Sequence, residues 1–224
     1  MERILEVCAA NVESAKAAAK GGAQRIELCT ALELDGLTPS PEEIAEARKI
    51  EGLKMNVLIR SRAGNFIYTD EEFELMASQI ETAKKLGADG VVIGALTQEG
   101  DIDVKGCKKL MQAAEGISVT FHRAFDQCRD PHKGLEDIIS LGCQRLLTSG
   151  QKATAMQGVP LLRELNEQAN GRIIIMPGAG VNPSNAGQIL NKTSCKEIHS
   201  SARNKGEKNT NAEVVKTIVK EITC

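Results

Sequence analysis

The chain has 224 residues, 42% of them hydrophobic and 26% charged, which makes a single globular domain with a large core the expectation. Its 28 Lys and Arg against 30 Asp and Glu leave a formal net charge of -2 with no block of like charge, and aromatic residues are only 2% with no Trp. That argues against nucleic-acid arms, base-stacking platforms and aromatic cages.

Short β-type runs recur along the chain with helical runs between them. In order they are ILEVCA from Ile4, RIELCT from Arg25, KMNVLIR from Lys54, GVVIGAL from Gly90, SVTFHRAF from Ser118, RLLTSG from Arg145, RIIIMPG from Arg172 and KEIHSSA from Lys196. Helical periodicity is clearest at Phe73, Met76, Ala77, Ile80 and Ala83, and again from Val214 to Ile222. Ser40-Pro41-Glu42-Glu43 and Thr69-Asp70-Glu71-Glu72 read as helix starts, with a capping hydroxyl ahead of Pro or acidic residues. GGAQRIEL, LGADGVVI and LGCQRLLT each read as a glycine closing a helix before re-entry into a strand. Eight βα units within 224 residues predict a single (β/α)8 TIM-type barrel over 1–224. A doubly wound sheet is less suited, because Cys8-Ala9-Ala10-Asn11 stands where a dinucleotide-binding turn needs glycines.

No apolar run approaches the roughly 20 residues that span a bilayer, and MERILEVCAA lacks the pattern of a signal peptide. The expected location is the cytoplasm, without membrane or nucleic-acid partners. Seven cysteines with no C-x-x-C suggest neither a disulfide framework nor a zinc ribbon.

In a barrel the helix-facing positions of each strand must be apolar, which assigns the inward set. Leu5 and Val7 outward leave Glu6 and Cys8 inside; Ile26 and Leu28 outward leave Glu27 and Cys29; Val57 and Ile59 leave Asn56 and Arg60. Val119 and Phe121 leave Thr120 and His122, and Ile198 leaves Glu197, His199 and Ser201; strands 6 and 7 stay ambiguous. A lumen this polar is either a self-satisfied network, with Glu6 and Glu27 against Arg60 and His122, or a site, since barrel active sites form at the C-terminal strand ends. In the second case Glu6 or Glu27 and His122 do acid–base work, with Arg60 and Arg62 as anion clamps. The loops after strands 7 and 8 offer Gly178, Gly180, Ser201 and Arg203 as an anion site. No inward lysine supports a Schiff base, and Glu6-x-Cys8 replaces the H-x-H of a barrel metallohydrolase.

The phrases LEVC, IELC, DGLTPS, the spaced run Arg60, Arg62, Gly64, Phe66 and Tyr68, then VTFHRAFD, LLTSGQ, PGAGV and EIHSSA resemble the CutC copper homeostasis family from Ile4 to Arg203. The resemblance implies a cytoplasmic TIM-type barrel, a homo-oligomer taken here as a dimer, and a role in copper handling. Two departures stand out: the segment Asn204 to Asn211 is shorter than the family's, which puts a lid there in doubt, and Asp35 replaces a glycine. Cu(I) prefers soft ligands, and Cys8 and Cys29 on neighbouring strands supply two thiols, with His122, His199 or Met176 as further donors. The expected ligand is therefore a copper ion, Cu(I), or a small anionic molecule; the alternative to copper handling is an isomerase, lyase or hydrolase for a phosphorylated or carboxylated metabolite.

Overall fold

The computed structural model describes residues 3–223; Cys224, one of the seven cysteines of the sequence, lies outside them. Eight parallel strands alternate with eight helices: β1 Ile4–Ala9, β2 Arg25–Leu28, β3 Lys54–Leu58, β4 Gly90–Ile93, β5 Ser118–Phe121, β6 Arg145–Thr148, β7 Ile174–Pro177 and β8 Glu197–Ser200. The helices are α1 Val12–Lys20, α2 Pro41–Arg48, α3 Asp70–Lys85, α4 Val104–Ala113, α5 Pro131–Leu141, α6 Val159–Ala169, α7 Ala186–Thr193 and α8 Ala212–Thr223. The hydrogen-bonded order β7-β6-β5-β4-β3-β2-β1-β8 brings β7 and β8 side by side at the seam of a nearly closed (β/α)8 barrel.

Local chemistry sets these boundaries. Ser40 and Thr69 each close a full capping box, with Glu43 and Glu72 reaching back to the cap N–H. Helix α5 ends at Gly142, whose φ of 85° places it in the left-handed region that a side chain strains to adopt. The helix-facing residues Leu5, Val7, Ile26, Leu28, Val57, Ile59, Val119, Phe121 and Ile198 all join the main hydrophobic core between sheet and helices. The parity drawn from the sequence therefore holds, and it fixes what remains for the lumen.

The lower lumen is a buried ionic network; among its sealed side-chain atoms only Glu6 Oε1 lacks a hydrogen bond, and it has His199 Nε2 at 3.9 Å. Arg25 donates to both Glu6 and Glu197, Asn56 donates to Glu6 at 2.9 Å, and Arg145 bridges Glu197 at 2.8 Å to Ser118 at 3.1 Å. Burial pulls the Glu6 pKa up, but the charges of Arg25 and His199 outweigh that and hold it below the ordinary carboxylate value. The pairing that the sequence offered as the structural alternative, Glu6 and Glu27 against Arg60 and His122, does not form. Arg25 shares the inward parity of Glu27 and sits two residues below it, so it reaches Glu6 first. Arg145 pointing at Glu197 also settles strand 6, with Leu147 inward at the cavity wall.

Candidate functional site

Above the network a cavity of about 490 Å³ opens at the C-terminal ends of the strands. Its volume is within the range of small-molecule sites. A small apolar cluster of Cys8, Cys29, Leu58 and Val92 packs inside the barrel, and three of its members, Cys8, Cys29 and Leu58, line the cavity.

On the β8–β1–β2 side stand Cys8, Cys29, Glu27 and His199. Parallel pairing places Cys8 opposite Glu27, and the Cys29 N–H bonds the Ala9 carbonyl, so the two thiols converge to an Sγ–Sγ distance of 3.7 Å. Both cysteines are buried, as are the other four described ones, and all six are free. The Cys29 hydrogen bond and burial push the Cys8 thiol well above its usual range. His199 is register partner to Glu6 across β1 and β8, but its Nε2 bonds Glu27 Oε2 at 2.7 Å. Burial opposes a charged imidazole here; the hydrogen bond and charge of Glu27, helped by Cys8 and Glu6, overcome it and raise the His199 pKa to about 9. Ligating atoms of Cys8, Glu27 and His199 all lie within 4.8 Å of one another.

On the β3–β5 side stand Arg60, Phe66 and His122. The guanidinium donates to the Leu34, Gly36 and Gly64 carbonyls at 2.7–2.9 Å and lies 5.0 Å from the Phe66 ring centre. The Leu34 carbonyl comes from a turn bounded by Ala31 and Asp35, both at positive φ, and Gly36 follows directly on it, so a strained loop is held against Arg60. His122 is positioned by an absent side chain: a Cβ on Gly94, the residue after β4, would stand 2.4 Å from the imidazole, so that position needs glycine. Burial and then the charge of Arg60 drive the His122 pKa down to about 3, which keeps the ring neutral.

The cavity rim after β5 and β6 is tied by Asp126. It accepts from Thr148 Oγ1 at 2.5 Å, from the Ser149 N–H and hydroxyl, and from Arg123 Nε at 2.8 Å. Asp126 does not cap α5, a role taken by Asp130.

Of the residues singled out in the sequence, Glu27, Arg60, His122, Cys8 and Cys29 meet at this one cavity, whereas Glu6 lies beneath it in the ionic network. Gly178, Gly180, Ser201 and Arg203 do not line it. The Gly178 N–H donates to Thr148 O, a Cβ there would meet Leu147 Cδ1 at 2.5 Å, and Arg203 is an exposed side chain. The sequence offered His199 only as one of three further donors to the cysteine pair, beside His122 and Met176; its pairing with Glu27 was not foreseen.

Fold and cavity together define a TIM-type barrel protein whose C-terminal-face cavity carries a buried pair of thiols beside a histidine–glutamate pair. The model of the CutC family matches residues 3–204, and the chain belongs to that family. A CutC family protein of Bacteroides fragilis is 53% identical over 201 residues, covering 89% of this chain and 80% of that protein. One from Pasteurella multocida is 50% identical over 199 residues, covering 89% and 82%. Among solved structures, the CutC protein of Streptococcus agalactiae, which bears a copper-homeostasis name, superposes with a TM-score of 0.85 at 34% identity, over 89% of this chain and 98% of that one. Phosphate-metabolite enzymes such as a thiamine phosphate pyrophosphorylase of Pyrococcus furiosus share the fold at a TM-score of 0.66 and 19% identity.

Proposed function

We propose that the chain takes part in copper homeostasis by binding one Cu(I) ion at the cavity floor, with Cys8 and Cys29 as thiolate ligands and His199 as third donor. The observation that carries this reading is the 3.7 Å approach of two buried, free thiols, one of which, Cys8, lies within 4.8 Å of a ring nitrogen of His199. Thiolates are the soft donors that select Cu(I) over harder ions. Two thiolates in line across one ion stand about 4.6 Å apart if each bond is about 2.3 Å, the zinc–thiolate length. A closer pair suits a bent site with room for a third ligand. Glu27 holds the Nε2 hydrogen of His199 and is the acceptor for that proton when the imidazole turns to ligation. Among the described residues no helix is long and apolar enough to cross a membrane, and free thiols at this spacing fit a reducing compartment, so the cytoplasm is the location we infer.

The test is a competition titration of reduced protein against a Cu(I) chelator. One ion per chain is expected, lost in the Cys8→Ser, Cys29→Ser double variant and weakened in His199→Asn. Undiminished binding by the double variant would move copper elsewhere on the chain and end this assignment.

A further inference from the structure

Arg25 and Arg60 are both buried arginines of the lumen, and they differ in one respect. Arg25 faces two carboxylates, Glu6 and Glu197. Arg60, only 3% exposed, makes no ion pair among the described residues; three main-chain carbonyls take its Nη groups, and its Nε–H makes no hydrogen bond, with the buried and equally unpartnered Tyr68 hydroxyl as the one neutral side-chain oxygen that interacts with this guanidinium. A buried guanidinium without a counter-charge costs several kcal/mol, which a fold does not normally retain for packing alone.

His122, 5% exposed, has the same deficit on the same wall. Its Nδ1 accepts from the Ala124 N–H at 3.1 Å, so a neutral ring carries its hydrogen on Nε2, and Nε2 has no partner. Two sealed N–H donors, one on a cation, therefore lack an acceptor. Phe66 touches both, with its ring centre 5.0 Å from the guanidinium carbon and 5.0 Å from the imidazole centre. Phe66 is itself a half-buried lining residue of the cavity, standing between the open space and both groups it touches.

We propose that the β3–β5 wall of the cavity is an oxyanion site, where the Nε–H of Arg60 and the Nε2–H of His122 hold a carboxylate or phosphate oxygen of a small ligand as Phe66 moves aside. Anionic oxygen is the one ligand chemistry that supplies both a counter-charge and two acceptor lone pairs. Of the three lining carboxylates, Glu27 is taken by His199, Asp126 by Arg123 and the hydroxyl and amide donors around it, and Asp35 is exposed on the turn beside Arg60, while Lys152 adds a further positive charge to the lining. The site uses none of the residues proposed to hold copper, and it stands whether or not that reading does.

The experiment titrates full-length, reduced, metal-free protein with inorganic phosphate and, separately, with acetate, against chloride at matched ionic strength. The readout is the imidazole ¹H–¹⁵N resonance of His122 Nε2–H, with affinity followed in parallel by calorimetry. A saturable shift is expected from at least one of the two anions, and which one it is distinguishes a phosphate ligand from a carboxylate ligand. His122→Asn retains an acceptor for the Ala124 N–H, but its shorter amide places no donor where Nε2–H stands, so it should bind at least tenfold more weakly with its fold intact. Arg60→Lys should also lose binding, and if that variant fails to fold the Asn variant alone decides. The Cys8→Ser, Cys29→Ser double variant should bind the anion as the parent does; loss of anion binding in it would contradict a separate oxyanion wall. No saturable response to either anion, or equal affinity in parent and His122→Asn, would overturn the proposal.

Discussion

Raising the pH from 7 to 10 should cost the fold about 2–3 kcal/mol through the His199–Glu27 pair alone. The folded pKa of His199 is about 9, against about 6.5 for an unfolded histidine. Below pH 6.5 the imidazole is protonated in both states and the pair contributes in full. Between the two values only the folded chain keeps the proton, and as pH rises through 9 that advantage disappears. A difference of about 2.5 pKa units at 1.36 kcal/mol each sets a ceiling of roughly 3 kcal/mol, most of it still present at pH 7. Glu27→Gln keeps the shape and removes the charge that stabilises the imidazolium. Burial then dominates, the His199 pKa drops below 6.5, and the alkaline loss should vanish, with the variant about 2–3 kcal/mol less stable than the parent at pH 7. Urea denaturation at pH 7, 8, 9 and 10, with m-values as the check on two-state behaviour, reads the slope, and imidazole NMR reads the titration directly. Parallel slopes in parent and Glu27→Gln, or a His199 that titrates near 6.5 in the parent, would refute the reasoning.

His122 works in the opposite direction: with a folded pKa of about 3 its contribution is complete above pH 6.5 and is lost as pH falls, so His122→Asn should flatten part of the acid limb of the same stability curve. Glu6→Gln leaves Arg25 short of a carboxylate in the sealed lumen and should cost roughly 3–5 kcal/mol in denaturation; a neutral result would mean that water reaches the network. Gly94→Ala forces a methyl to 2.4 Å from the His122 ring and should destabilise by about 1–3 kcal/mol while shifting the His122 imidazole resonances; unshifted resonances would show that β4 yields instead. In Asp126→Ala the amides of Ser149 and Gln151 lose their acceptor, so their hydrogen exchange should accelerate at least tenfold, which unchanged rates would contradict.

Alternation carried most of the fold. Leu5 and Val7, or Ile26 and Leu28, reveal which side of a strand meets a helix, because that side tolerates no polar group, and the inward set follows by parity. Parity does not reveal partners. Arg25, Glu27 and Cys29 share one face of β2, yet one joins an ionic layer, one a histidine and one a thiol, according to height in the barrel and register with β1. Arg60 reads as a candidate for Glu6 or Glu27 until the loop carbonyls of Leu34, Gly36 and Gly64 are seen to occupy it, and main-chain acceptors leave no trace in side-chain identity. The glycines after β7 suggest an anion cradle by composition, whereas Gly178 is required by close contact with Leu147 and His199. The cysteine pair was legible because it depends only on strand neighbours and matched parity.

The copper reading is tested most directly by X-ray absorption at the copper edge of reduced protein loaded with one equivalent of Cu(I). Two sulfur scatterers and one imidazole are expected for the parent, with the sulfur shell lost in the Cys8→Ser, Cys29→Ser double variant and the imidazole signature lost in His199→Asn. A parent spectrum that the double variant reproduces unchanged would contradict the assignment of the cavity floor as the copper site.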